Sequence, residues 1–198
     1  MFHRATTLTG AKDIDAALQY LEETALPVTR AQTGYRGAAA SVDRAAGLLG
    51  ILTMWDTAAT RDASDGAVAK TREEASRLFG AMTVEHFDEV NLEVAQPPVV
   101  GSSLRVVRYS VDPAALDDIV AYINSEITPQ VKTMAGFRVL RNMVNRETGA
   151  GMMGTSWDDD AAMQQADAQL RSLREEAERR GITFGETSQR RIALIDMP

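Results

Sequence analysis

The chain has no cysteine, only three lysines (Lys12, Lys70 and Lys132) and only two histidines (His3 and His86). Without cysteine there is no disulfide, no thiolate nucleophile and no sulfur-ligated metal, a composition that suits the cytoplasm. Neither histidine has a second one at metal-ligating spacing, so no metal centre is expected. Positive charge is in the minority: 21 Lys and Arg face 28 Asp and Glu, for a formal charge of −7. A nucleic-acid partner, which needs a basic patch, is therefore not expected. No apolar run reaches membrane-spanning length, and the opening MFHRATTLTGAKDIDAAL lacks the basic-then-apolar order of a signal peptide. Nucleotide-binding glycine patterns and G-x-S-x-G are missing too. What is present is ordinary for a globular chain that buries a core, 44% apolar and 25% charged.

The informative feature is internal repetition. Trp55 and Trp157, the only tryptophans, sit in T-M-W-D and T-S-W-D, and shifting the chain by 102 positions superposes them. The same shift carries Gly34-Tyr35-Arg36 onto Gly136-Phe137-Arg138, Gly47 onto Gly149, Tyr20 onto Tyr122 and Arg72-Glu73-Glu74-Ala75 onto Arg174-Glu175-Glu176-Ala177. One gap-free offset that gathers matches along both halves indicates a duplication. The expected division is residues 1–95 and 104–198, joined by QPPVVGSS (96–103), whose consecutive prolines make a stiff connector.

Each half reads as β-α-β-β-α-β. Phe2 to Leu8 and Leu104 to Val111 suit first strands. Ile14, Ala17, Leu18 and Leu21, and in the second half Leu116, Ile119, Val120 and Ile123, recur at helical spacing. Asp112-Pro113 is an N-cap followed by a first-turn proline, and Pro27 and Pro129 are expected to end or break these helices. D-R-A-A-G and N-R-E-T-G read as hairpin loops. Each tryptophan then ends a third strand, with Asp56 or Asp158 placed to cap the next helix, which runs to Gly80 or Gly181. Fourth strands are expected at 89–95 and 191–197. The class is α+β: two ferredoxin-like repeats with both helices on one face of each antiparallel sheet. The bare sheet faces are expected to pack on one another, because exposing them costs roughly 25 cal/mol per Å².

The G-[YF]-R, D/N-R-x-x-G and T-x-W-D frames resemble the dimeric α+β barrel superfamily, and most of all its antibiotic-biosynthesis-monooxygenase-like domains, here as a fused tandem pair. That resemblance implies a single-chain pseudo-dimer, with a further homodimer left open. It also implies a function among cofactor-independent oxygenases of small hydrophobic or aromatic compounds, or a non-catalytic barrel that binds a ligand or partner. Members that degrade haem resemble one another in a first-strand Asn, a second Trp and a ligating His. The corresponding positions here hold Thr7, Ser64 and Glu74, and Tyr109, Ala166 and Glu176. No haem or other cofactor is therefore expected. Candidate ligand-binding side chains are Tyr35, Trp55, Tyr122, Arg138, Asn142 and Trp157: aromatic faces for stacking, with an arginine and an amide for an anionic or quinone-like oxygen. Ala38-Ala39-Ala40 against Val139-Leu140-Arg141-Asn142 predicts that two cavities would be inequivalent.

Overall fold

A computed structural model describes residues 1–197. The first repeat runs β1 (Phe2–Thr9), α1 (Ile14–Tyr20), α2 (Leu26–Arg30), β2 (Tyr35–Asp43), β3 (Leu48–Trp55), α3 (Ala58–Ala63), α4 (Asp65–Phe79) and β4 (Ala81–Val94). The second runs β5 (Ser103–Ser110), α5 (Leu116–Tyr122), α6 (Thr128–Val131), β6 (Phe137–Val144), β7 (Ala150–Trp157), α7 (Asp160–Gln169), α8 (Arg171–Arg179) and β8 (Thr183–Asp196). The strands close into an antiparallel barrel in the order β1-β3-β2-β8-β5-β7-β6-β4. By contact density the chain forms two compact units, Met1–His86 with the segment from Ile192, and Phe87–Arg191. The unit boundaries therefore fall inside β4 and β8, whereas the sequence repeat turns over in the loop between β4 and β5.

Both hairpins form as the sequence predicts. Asp43 Oδ1 accepts from the Ala46 amide, and Asn145 Oδ1 from the amides of Glu147 and Thr148. Gly47 and Gly149 take positive φ (62° and 71°), and a Cβ on them would meet the carbonyl oxygens of Ala11 and Val111 at 2.6 and 2.0 Å. Only glycine fits that turn.

Three local expectations change. Pro27 and Pro129 do not end their helices. A π-turn (Leu21–Ala25, Ile123–Ile127) precedes each, and the amides of Leu26 and Thr128 reach back to the carbonyls of Leu21 and Ile123. The wider turn gives the proline ring room where an α-turn would clash. Asp56 and Asp158 are not the caps. Thr57 closes a capping box with Thr60, and Asp159 accepts from the Ala162 amide, one residue later in each copy. The fourth strands start eight residues earlier than their apolar residues suggest, because their first halves alternate exposed and half-buried side chains.

Each unit has its own core between sheet and helices. Leu8, Ile14, Leu21, Leu26, Val42 and Leu49 build the first. Leu116, Ile119, Ile123, Leu140, Val144, Trp157 and Met163 build the second.

Candidate functional site

The T-x-W frame has a local cause. Residues two apart on a strand share a face, so Thr53 lies beside Trp55 and Thr155 beside Trp157. The indole Nε1 donates to the threonine hydroxyl at 2.9 and 3.1 Å respectively. Both tryptophans are fully buried, and a buried N–H without an acceptor costs about 1–3 kcal/mol. Tyr35 and Phe137 meet the two indoles edge to face at 5.8 and 5.7 Å. The aspartates of the frame are half-exposed and pair with Arg36 and Arg138.

The six candidates from sequence thus have defined places. Trp55 and Trp157 are interior, each bonded to its threonine. Tyr35 donates to Asp196 Oδ2 at 2.5 Å, and Arg30 clamps the same carboxylate. Arg138 holds Asp158 and donates to the Pro97 carbonyl at 2.9 Å. Tyr122 is buried, with the Arg180 guanidinium 4.2 Å from its ring centroid. Asn142 is fully buried and accepts from the Tyr109 hydroxyl at 2.8 Å.

Each unit contains a cavity between its sheet and its helices, and neither lining includes any of those six residues. The cavity of the second unit, about 630 Å³ including its mouth, is walled by Val107, Tyr109, Ile123, Ile127, Val131, Met153, Leu173 and Phe184, with Arg105 and Arg174 on its rim. The cavity of the first unit, about 620 Å³, uses the matching positions: Thr6, Leu8, Leu21, Ala25, Thr29, Ile51, Thr71 and Met82, with Arg4 and Arg72. The cavities are chemically unlike. The difference comes from the first strand and the helices, where three threonines occupy the positions that Val107, Val131 and Leu173 hold in the second unit, and not from the second strand, which lines neither cavity.

Sequence reasoning passed over the arginines, and the register explains why. Arg4 pairs with Thr53 across β1 and β3, and Arg105 with Thr155 across β5 and β7. Arg4 therefore corresponds to Arg105, a shift of 101, and the single offset of 102 used for the rest of the chain hid the match. Each is also ion-paired to an equivalent aspartate, Arg4 to Asp65 and Arg105 to Asp167. Asp65 and Asp167, and Arg72 and Arg174, do match at 102.

The two arginines nevertheless stand in different electrostatic settings. Arg4 Nη2 donates to the Arg61 carbonyl and, at 2.6 Å, to Ser64 Oγ, while its Nε lies 3.0 Å from Asp65 Oδ1. Arg72 also binds Asp65, through Oδ1 at 3.0 Å and the carbonyl at 3.1 Å. In the second unit Met163 and Ala166 replace Arg61 and Ser64. Arg105 therefore lacks the hydroxyl and carbonyl partners that Arg4 Nη2 has; the Nε of each arginine has no hydrogen-bond partner among the described residues, although that of Arg4 lies 3.0 Å from Asp65 Oδ1. Arg174 lies over the Phe184 ring at 5.2 Å and makes no ion pair among them. Burial first, and Arg174 second, push Arg105 down to about 10. It is still a cation at neutral pH. Two guanidiniums thus stand at the edge of an apolar hole, and of the two only Arg105 is paired with a carboxylate, Asp167. Behind it, burial pushes the Tyr109 hydroxyl up to about 12, against its bond to Asn142.

Near the first cavity, Asp62, Asp65 and His86 bring three possible metal-ligating atoms within 4.8 Å. Their oxygens are already engaged: Asp65 Oδ1 with Arg4 and Arg72, Asp62 Oδ1 with Arg61. Burial, and then Arg61, lower the His86 pKa. Three guanidiniums around two carboxylates make this an ion-pair cluster.

No family model matches the chain. An uncharacterized protein of Mycobacterium tuberculosis H37Rv is 23% identical over 176 residues, 88% of this chain and 79% of its own. A second from that strain is 25% identical over 139 residues, 69% and 59% of the two chains. Among solved structures, an anthrone oxidase-like protein superposes with a TM-score of 0.73 at 9% identity, covering 98% of this chain and 92% of that one. An uncharacterized ferredoxin-fold protein related to antibiotic biosynthesis monooxygenases, from Listeria monocytogenes, gives 0.55 at 8% identity over 100% and 95%. This chain has the antibiotic-biosynthesis-monooxygenase-like fold. At such identities the likeness is one of fold alone.

The monooxygenase-like fold is also shared with a heme-degrading enzyme from Listeria monocytogenes, with a TM-score of 0.57 and 9% identity over 96% and 99% of the chains. The residues here do not fit a histidine-ligated haem. Glu74 accepts from the Tyr20 hydroxyl, Glu176 is held by Arg179 and Arg180, and neither cavity lining includes a histidine. Among the described residues, no helix is long and apolar enough to cross a membrane.

Proposed function

We propose that this monooxygenase-like protein binds a small hydrophobic or aromatic compound in the cavity of the second unit, in its anionic form, and acts on it as a cofactor-independent oxygenase. One observation carries this reading: Arg105, nine-tenths buried and paired only with Asp167, lines an apolar cavity without the hydroxyl and carbonyl partners of Arg4, beside a second arginine that makes no ion pair among the described residues. A nearby opposite charge lowers an acid's pKa by about 1–3 units. Arg105 and Arg174 would favour the ionised form of an acidic phenol or enol in this cavity, against the burial that holds the Tyr109 hydroxyl protonated in the same wall. The resulting electron-rich anion is the form that can reduce dioxygen without a metal, and the apolar walls keep bulk water from it. Tyr109 backs the ligand and Asn142 fixes Tyr109. The sequence candidates Tyr122 and Trp157 support the core behind this wall, and Arg138, Tyr35 and Trp55 lie outside the reading.

A second reading, a binding barrel without turnover, is favoured by the lining itself. It contains no carboxylate and no imidazole to serve as a general base.

Oxygen uptake and calorimetric binding, measured with dihydroxy-aromatics and quinols on the wild type and Arg105→Gln, separate these readings. The oxygenase predicts uptake whose pH midpoint moves upward in the variant. Tight binding without uptake would leave only the binding barrel. Binding indifferent to Arg105 would overturn both as stated.

A further inference from the structure

We infer that the cavity of the first unit is a second ligand site, and that it takes an uncharged compound carrying one hydrogen-bonding group, such as an alcohol, ketone or quinone carbonyl. This site does not depend on the reading of the second cavity.

The two holes are alike in size and differ in what their polar atoms have left to give. Arg4 and Arg72, which correspond to Arg105 and Arg174, are both committed: Arg4 to Ser64, the Arg61 carbonyl and Asp65, and Arg72 to the same aspartate. An anionic ligand would have to take a guanidinium away from Asp65 and leave that carboxylate uncompensated beside it, which costs more than the new contact returns. Charge selection is therefore switched off in this cavity.

What it offers instead is Thr6. Its side chain lies on the same strand face as Arg4 and Leu8, lines the cavity, is 7% exposed and makes no hydrogen bond to any described residue. That hydroxyl takes its partner from whatever fills the cavity, water or a ligand. Its counterpart Val107 has no such group. The other polar lining groups, Thr29, Thr53 and Thr71, already donate to backbone carbonyls, and Tyr20 to Glu74. One free hydroxyl in an otherwise apolar, charge-neutralised hole selects one polar atom on an uncharged body.

The test uses the full chain, isothermal calorimetry at pH 7.5, and two probes of one shape, 1-acetonaphthone and 1-naphthoate. The ketone is expected to bind with a stoichiometry lost in Ala25→Phe, which fills the first cavity. In Thr6→Val, a nearly isosteric change, it should weaken about fivefold to tenfold, as for one lost hydrogen bond. The ketone should be indifferent to Arg105→Gln, and the naphthoate indifferent to both first-cavity changes. Ketone binding unaffected by both Thr6→Val and Ala25→Phe would overturn the proposal. So would naphthoate binding that Ala25→Phe abolishes, or no ketone binding up to its solubility. Failure of the second-cavity reading shows separately, as naphthoate binding unaffected by Arg105→Gln.

Discussion

Gly151 and Gly154 lie three residues apart on β7, and replacing each by alanine should give opposite results. Tyr109 pairs with Gly151 across β5 and β7. A Cβ on Gly151 would lie 2.0 Å from the ring's Cζ and 2.2 and 2.4 Å from its Cε atoms. The ring would have to move by more than an ångström to reach ordinary contact. Overpacking of this kind costs about 1–3 kcal/mol. Displacing the ring also breaks the 2.8 Å bond to Asn142, which is fully buried and whose Nδ2 already lacks a partner. Stranding its Oδ1 adds about 1–3 kcal/mol. Gly151→Ala should therefore destabilise by about 2–6 kcal/mol. If the ring instead swings into the cavity, the cost falls and ligand binding disappears. Gly154 has only the Leu104 Cδ1 atom at 3.7 Å from the same hypothetical Cβ. Gly154→Ala should stay within about 0.5 kcal/mol of wild type, or stabilise, since glycine is a poor strand residue. Urea denaturation of both variants reads the difference. The first unit solves the same packing with Leu8 opposite Leu49 and Ala40 in the place of Asn142. Adding Tyr109→Leu to Gly151→Ala should therefore recover at least about 1 kcal/mol relative to additivity. Two single alanine variants of equal stability would refute the reasoning.

Other consequences can be measured directly. Thr155→Val leaves the buried Trp157 N–H without its acceptor and should cost about 2 kcal/mol in urea unfolding, with a matching change in near-UV circular dichroism; Thr53→Val should do the same through Trp55. The hydrogen bonds from Arg30, helped by that from Tyr35, hold Asp196 below the ordinary carboxylate range. A depressed carboxylate contributes stability that is present above its unfolded value, about 3.9, and lost as pH falls through the folded value. Asp196→Asn should accordingly be less stable than wild type at pH 7, and the gap should narrow below about pH 4 in acid-titrated unfolding. Burial first, and the bond to Asp196 second, push Tyr35 up, so its phenol should fail to ionise in alkaline spectrophotometric titration at the pH where free tyrosine does.

The repeat, its element order and its hairpins were legible in the chain because they depend on local chemistry. Apolar spacing sets the buried face, Gly47 and Gly149 set the turns, and Thr-x-Trp puts a donor beside its acceptor on one strand face. The same local reasoning failed where a partner lies far away in sequence. Periodicity places Arg4 and Arg105 on the helix-facing side of their strands without saying which carboxylate or hydroxyl the helices bring to meet them. A one-residue slip in the first strand was enough to hide that they correspond. Pro27 and Pro129 were misread for a related reason: a ring that would break an isolated α-turn is tolerated once the turn before it widens. Only the packed helices decided that Arg4 meets a hydroxyl and a carbonyl besides its carboxylate while Arg105 meets its carboxylate alone, because a buried charge takes its character from what surrounds it in space.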